Sequence, residues 1–207
     1  MSDRPDPGAI VPLSWAATRG MGTWASGGDV SGVDLGDADL SEIAVKNVVA
    51  RSTNLRGANL RSFRTIDADF TKADFSGADL CEASIFDSEL AGASFRGAFL
   101  NGAAMVTSRL PGADFEDADL TGADLSGATL ADAIFRDATL VRVKLRYVSL
   151  AGADLTNADL TNADLTNADL TNAVLTNAVL TNAVLTGARL DGVTWSGATL
   201  DGAVFDP

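Results

Sequence analysis

The residues of this chain that can do chemistry are mostly carboxylates. Its 207 residues include 28 Asp and Glu, 15 Lys and Arg, one cysteine (Cys81) and no histidine. Two carboxylates can act as general acid and base only where their environments separate their pKa values, and here most acids share one recurring context. Without histidine, neither a Ser-His-Asp triad nor a histidine-based metal site is possible. The residues therefore predict no catalytic, cofactor or metal site, and a protein that is not an enzyme.

The composition excludes several other classes of protein. The net charge is −13 and the isoelectric point is near 4.2, so the phosphates of a nucleic acid would be repelled. A single cysteine cannot form a disulfide framework. No stretch of about 18 apolar residues suggests a transmembrane helix, and the opening MSDRPDPGAI has no apolar core typical of a secretory signal. We expect a soluble cytoplasmic protein that contacts neither membranes nor nucleic acid directly.

The chain is dominated by a repeat of five residues that begins near Val33. Almost every fifth residue is large and apolar, as in Leu35, Leu40, Phe95 and Leu120, and the residue two places earlier is usually Ala. A helix would spread these leucines around its circumference, and a strand would alternate them between its two faces. Only a chain that turns a corner in every block keeps them all inside. Four blocks then form a square coil of twenty residues, and stacked coils share one core.

This pattern resembles the pentapeptide repeat proteins, which fold as right-handed quadrilateral parallel β-helices. The blocks run in phase over residues 31–205, about thirty-five in all, and predict an all-β solenoid of nearly nine coils over 31–207. We expect residues 1–30 to form an N-terminal tail and cap. Phe63 and Thr65 exchange the large and the small residue of their block, which predicts a loosened coil there.

The coil length predicts which outward residues share a face, because residues twenty apart stack. Asp residues recur on alternate coils of two neighbouring faces, so the rod should carry two negative faces. We assign the candidate partner-binding acids as Asp74, Asp79, Asp114, Asp119, Asp154, Asp159, Asp164 and Asp169.

Two apolar features could also form contacts. Trp195, Leu200 and Phe205 belong to the last coil, and the sequence after them is too short to cover it. An uncovered coil end favours pairing with a second copy, so we expect a homodimer through the C-terminal coils. Ile66, Phe86 and Val106 stack on successive coils, either as a contact strip or as a locally deformed face.

The resemblance implies a function as well as a fold. The best-understood pentapeptide repeat proteins bind DNA gyrase or another type II topoisomerase as dimeric acidic rods that imitate DNA, and they inhibit it or protect it from quinolones or toxins. The alternative is a structural scaffold or regulatory module for protein–protein interaction whose partner is unknown. Salt-sensitive binding to gyrase would distinguish the first reading from the second.

Overall fold

The computed structural model describes residues 25–206, and the segment 1–24, which contains most of the expected N-terminal cap, lies outside the described residues. Four short strands form one parallel sheet in the order β1-β2-β3-β4: β1 (Ala25–Ser26), β2 (Ala44–Lys46), β3 (Arg64–Ile66) and β4 (Ser84–Phe86). The strands pair in steps of twenty residues, from Ala25↔Val45 to Thr65↔Ile85. Stacking therefore already includes residues ahead of the expected boundary at residue 31.

The rest of the described chain continues the same stacking through isolated parallel bridges. These run without interruption from Asp29↔Val49 to Val184↔Val204, always between residues twenty apart. Successive coils are joined by backbone hydrogen bonds, for example from Leu35 N–H to Asn54 O at 2.8 Å. This stacking confirms the predicted parallel β-helix with four blocks of five residues in each coil.

Each block turns its corner through a residue with positive φ, the region that glycine and asparagine tolerate best. Gly77 has a φ of 67° and Asn157 a φ of 61°. A bond from the next small residue closes the turn, as from Ala38 N–H to Leu35 O at 3.1 Å. Gly, Asn and Asp therefore fill most corners for a steric reason, although Lys72, Arg142 and Tyr147 adopt the same positive φ, and the repeat stays in phase.

The core is a single column of large and small side chains along the rod. The central Leu and Phe residues and the Ala residues are buried from Val30 to Leu185. Phe75, Phe95, Phe115 and Phe135 stack with nearly parallel rings whose centroids lie 4.7–4.8 Å apart. That distance equals the spacing of adjacent strands, so equivalent rings on successive coils contact each other directly.

The exchanged pair Phe63 and Thr65 stays inside the column without breaking the register. Both side chains are fully buried, and the bridges on either side continue. A cavity of about 10 Å³ lies beside Phe63, and the Thr65 hydroxyl has no hydrogen-bond partner among the described residues. The predicted loosening is therefore confined to a small void and one unsatisfied hydroxyl.

Replacing Thr65 by Val should stabilise the protein. A buried hydroxyl without a partner costs about 1–3 kcal/mol, and valine has nearly the same shape. We expect T65V to raise the free energy of unfolding by about 1–2 kcal/mol in urea denaturation. The matched control is T53V, because the buried Thr53 hydroxyl donates to Val30 O at 2.8 Å and its loss should destabilise by about 1 kcal/mol. A loss of stability in both variants would contradict this account of Thr65.

Candidate partner-binding surfaces

The outward residues of each block occupy three positions around the buried central residue. The leading position comes just before it, the trailing position just after it, and the corner position follows. Stacking at twenty-residue intervals produces four faces. We name them by their central residues: face A (Leu35 to Trp195), face B (Leu40 to Leu200), face C (Val45 to Phe205) and face D (Val30 to Leu190).

Charge is distributed unevenly over these faces. When each corner residue is counted with the block that it ends, face A has eight acids and three bases, and face B has seven and two. Face C has five acids and four bases, and face D has six and four. Faces A and B adjoin, and they hold −10 of the net charge of −13 carried by residues 25–206.

The stacking separates the eight candidate acids into sets. Asp164 and Asp169 lie on faces C and D, because four consecutive blocks fall on four different faces. The six others lie on the two acidic faces: Asp74, Asp114 and Asp154 on face A, and Asp79, Asp119 and Asp159 on face B.

The leading acids have a structural task in addition to their charge. Their Oδ1 atoms accept a hydrogen bond from the backbone N–H two residues later, as from Ser76 to Asp74 at 2.9 Å. A trailing Ser or Thr often adds its hydroxyl, as Thr156 does to Asp154 at 2.6 Å. This Asx-type bond fixes the entrance to the corner, so half-buried carboxylates line the edges of the coils.

Trailing arginines neutralise most leading acids of face A. An arginine reaches the acid eighteen residues ahead, on the next coil: Arg56 lies 3.1 Å from Asp74, and Arg96 lies 3.1 Å from Asp114. Arg136 contacts Asp154 at 2.6 Å in the same way. Arg96 also pairs with the trailing Glu116 of the next coil, but the bonds of these arginines are mainly to the leading acids.

Face B has the same net charge but much less internal pairing. Arg61 pairs with Asp79 at 3.0 Å. Eighteen residues before Asp119 stands Asn101, which donates its amide to Asp119 Oδ2 at 2.8 Å without neutralising it. The corresponding residue for Asp159 is Val141, and among the described residues the Asp159 carboxylate accepts only the Thr161 N–H, at 2.9 Å. Asp119 and Asp159 therefore keep an uncompensated charge.

The two candidate acids outside faces A and B are also paired. Arg146 lies 3.5 Å from Asp164, and Arg189 lies 3.2 Å from Asp169. Exposed pairs of this kind contribute under about 1 kcal/mol each, so their main effect is on the field outside the rod. Of the eight candidate acids, only Asp119 and Asp159 have no ion pair within residues 25–206.

Hydrogen bonding keeps the carboxylates ionised in spite of their partial burial. Burial raises the pKa of Asp119, but the Thr121 hydroxyl, the Asn101 amide and the Thr121 N–H outweigh it, so the pKa lies below its usual value. The same balance lowers the pKa of Asp74 and Asp154, where an arginine adds to the effect. Asp74, Asp119 and Asp154 therefore retain their charge well below neutral pH.

The apolar strip lies beside a widened corner. Ile66 pairs with Phe86 through β3 and β4, and both side chains, like Val106, are half-buried. At this corner the bond from Asp87 N–H to Val106 O lengthens to 3.5 Å, and buried Ser88 and Ser108 fill the gap with their hydroxyls. Local deformation accounts for much of the strip, and contact with a partner stays a prediction.

The last described coil exposes apolar side chains. Leu200 is 38% exposed and Phe205 37%, whereas the equivalent residues one coil earlier, Leu180 and Leu185, are buried. Trp195 packs edge-on against Phe205 with a centroid distance of 6.5 Å. No described residue covers this end of the core.

Two exposed aromatic residues were not predicted as contact residues from the sequence. Phe99 is 52% exposed at a leading position of face B, and Tyr147 is 63% exposed at a corner beside face C, within 6.0 Å of the Arg146 guanidinium. The sequence itself distinguishes them, because the other corners of the repeat hold Gly or polar residues and no other leading position of the repeat holds an aromatic residue. A large aromatic side chain cannot enter the filled core there and must project outward.

Carboxylate clusters and the single cysteine are the groups that bear on metal binding and catalysis. Among residues 25–206, no group of three or more Cys, Asp and Glu side chains converges to hold a metal ion. Burial, followed by a bond with Asp79, raises the pKa of the Cys81 thiol, which disfavours the reactive thiolate. None of the described residues belongs to a helix that is long and apolar enough to cross a membrane.

Comparison with known proteins identifies the repeat. A family model described as pentapeptide repeats matches six overlapping or adjoining segments between residues 29 and 206. The chain belongs to the pentapeptide repeat family. This membership confirms the resemblance on which the sequence prediction was based. A comparison with curated protein sequences gives no match.

Solved pentapeptide repeat structures share the fold. HetL, involved in heterocyst differentiation regulation in the cyanobacterium Nostoc sp., is 29% identical; 87% of this chain aligns with 85% of HetL, with a TM-score of 0.62. QnrB1, a plasmid-mediated fluoroquinolone resistance protein, is 21% identical; 89% of this chain aligns with 93% of QnrB1, with a TM-score of 0.75. The likeness to QnrB1 shows the fold alone.

Acid should destabilise this pentapeptide repeat protein in a defined range of pH. The pKa values of Asp69, Asp74, Asp79, Asp119, Asp124 and Asp154 are lowered in the folded state. Their ionised forms therefore favour folding above the unfolded value of about 3.9, and this contribution is lost as the pH falls through the lowered values. Denaturation followed by circular dichroism should show a stability that drops below about pH 4.

One hydroxyl allows a local test of this balance. T121V removes the 2.6 Å bond from the Thr121 hydroxyl to Asp119 Oδ1 and should raise the pKa of Asp119 in a carboxyl NMR titration. T121S keeps a hydroxyl and should leave that pKa near the parent value. An unchanged pKa in T121V would show that the hydroxyl does not hold the carboxylate in its charged form.

Proposed function

We propose that the protein acts by binding and not by turnover, and that its partner is a type II topoisomerase, DNA gyrase in the first instance. In this proposal the acidic faces A and B occupy the basic groove that otherwise holds DNA. The observation that carries the proposal is the concentration of −10 of the net charge on two adjoining faces of a rod. An acidic surface complements a basic groove and speeds encounter with it.

The length and the net charge of the rod can be compared with those of duplex DNA, and the rod resembles DNA only in part. About nine coils at roughly 4.8 Å each give a rod of about 42 Å, over which duplex DNA carries about 25 charges. The net charge of −13 is about half of that. Because face A neutralises many of its acids with arginine, binding would depend mainly on the unpaired carboxylates.

Membership of a family that includes the fluoroquinolone resistance protein QnrB1 favours this partner. The partner and the outcome, whether inhibition or protection from a drug or toxin, belong to the proposal. HetL, with its regulatory role, favours the second candidate: a regulatory or scaffolding module that binds another protein. For that module the strip of Ile66, Phe86 and Val106 on the nearly neutral face C is the contact surface that we would assign.

A supercoiling assay with four substitutions tests the topoisomerase proposal. Changing Asp114, Asp119, Asp154 and Asp159 together to Asn should raise the protein concentration needed to inhibit gyrase, or to protect it from a fluoroquinolone, by about tenfold or more. The effect of the parent protein should weaken between about 50 and 200 mM salt, because exposed charges are screened.

The matched control changes Asp67, Asp69, Asp87 and Asp124 to Asn. These residues lie on faces C and D, alter the net charge equally and, like the test set, include two ion-paired acids. The control should retain the parent effect. Inhibition that survives in the test variant, or no effect of the parent protein at micromolar concentration, would overturn the proposal. In that case a pull-down comparing the parent with F86S would examine the alternative.

We also propose that the rod dimerises through its C-terminal coil, with Trp195, Leu200 and Phe205 at the interface. The support is the apolar end surface, where Leu200 and Phe205 are more than one third exposed. Burying such a surface against a second copy would remove it from water.

Analytical ultracentrifugation can test the dimer. The parent protein should sediment at twice its monomer mass of 21.2 kDa, and L200D should sediment as a monomer because burying its carboxylate at the interface is unfavourable. Y147D, which places the same charge far from the end coil, should remain dimeric. A parent protein that stays monomeric at tens of micromolar, or an L200D dimer, would contradict this interface.

A further inference from the structure

Phe99 exposes an aromatic ring within the ladder of face B, which is the column of leading residues that stack at twenty-residue intervals. Its two neighbours in this ladder are acids. The backbone of Phe99 forms β-bridges with Asp79 on one neighbouring coil and with Asp119 on the other, so the three leading residues stack on successive coils of face B. Outside the C-terminal coil, Phe99 and Tyr147 are the only large apolar side chains that are strongly exposed within residues 25–206. The other leading residues of face B are Asp, Asn, Thr or Val, which leaves Phe99 without an aromatic neighbour on that ladder.

The ring is accessible from both sides of its face. The corner residues around it are Gly77 and Gly97 on the edge shared with face A, and Gly102 and Gly122 on the edge shared with face C. An atom placed at the Cβ position of any of these four glycines would meet nothing within 4 Å. Phe99 therefore stands above a flat surface that a partner can approach.

The carboxylates beside the ring differ from those of face A in one respect. On face A, trailing Arg96 and Arg136 reach forward to Asp114 and Asp154, whereas face B has Asn101 and Val141 at the equivalent positions. Asp119 and Asp159 thus keep a negative charge that no cation of residues 25–206 neutralises. Face B combines unpaired acids with an exposed ring, and face A does not.

We propose that Phe99, Asp119 and Asp159 form the part of face B that receives arginine side chains of a basic partner protein. A guanidinium stacks on the ring of Phe99 while its N–H groups bond to Asp119, one strand spacing of about 4.8 Å away. Asp159, two coils further along, receives a second cation. Arginine is favoured over lysine, because its planar and weakly hydrated cation suits both the ring and the carboxylate.

This inference deepens the proposed function and rests on it only in naming gyrase as the partner. It selects face B over face A, although the two faces carry equal net charge. It also assigns the highest contribution to an aromatic residue, as is typical of the few residues that dominate protein interfaces.

Peptide binding tests the recognition of arginine without any assumption about gyrase. Fluorescence anisotropy with labelled hexa-arginine and hexa-lysine should show tighter binding of hexa-arginine to the parent protein. F99T should weaken hexa-arginine binding by about 3- to 10-fold and leave hexa-lysine nearly unchanged. Threonine occupies the same ladder at Thr139 and Thr199, so the fold should tolerate this change. Y147T, which removes the other exposed ring, should bind both peptides like the parent protein.

Two charge variants examine the choice of face. D119N/D159N and D114N/D154N change the net charge equally, and the first should lose more of the affinity for hexa-arginine. Equal losses in the two variants, an F99T protein that binds like the parent, or a Y147T protein as weak as F99T would each overturn the inference.

The same variants in the supercoiling assay separate this inference from the proposed function. If the parent protein acts on gyrase and F99T and D119N/D159N lose the effect while D114N/D154N keeps most of it, both stand. If all variants act on gyrase like the parent, the assignment of Phe99 and face B fails while the topoisomerase proposal survives. If the parent protein has no effect on gyrase, the topoisomerase proposal fails and the peptide result alone decides the inference.

Discussion

The structure depends on one constraint: a lumen that accepts one large and one small side chain from each block of five residues. Alanine and leucine or phenylalanine satisfy it in almost every block, and the stacked rings of Phe95 and Phe115 show how closely equivalent residues coincide. Once the core fixes the corner positions, every outward residue is placed by its number alone. The outward positions therefore form a regular lattice, and function depends on which residue type occupies each position.

On this lattice the charge that a face presents depends on the ion pairs between neighbouring residues as well as on the number of acids and bases. Faces A and B have the same net charge, but trailing arginines neutralise the leading acids of face A, and Asn101 and Val141 leave those of face B unpaired. A substitution at a trailing position thus changes the charge available eighteen residues later. Counting acids along one ladder overlooks this effect, because the ion pairs connect two ladders.

The sequence was sufficient for the fold and for the location of charge, but not for the pairing of that charge. The five-residue register predicted the β-helix, the buried Leu and Phe positions and the two acidic faces, because all three follow from spacing. It did not predict the reach of Arg56 or Arg136 to the acid eighteen residues ahead, which depends on the direction in which a long side chain leans. It also passed over Phe99 and Tyr147, whose significance lies in their exposure.

The side-chain bond that fixes each corner does not require a charged residue. Asn54 and Asn59 occupy leading positions and accept the backbone N–H of Arg56 and Arg61 at 3.1 and 3.2 Å, as aspartates do elsewhere. Asparagine therefore maintains the corner without adding charge, so a coil edge can be acidic or neutral at little structural cost. The presence of Asp and not Asn at positions 119 and 159, where no arginine neutralises the carboxylate, is consequently not required by the fold. Such unrequired charge beside an exposed aromatic ring is the physical argument for a binding surface on face B.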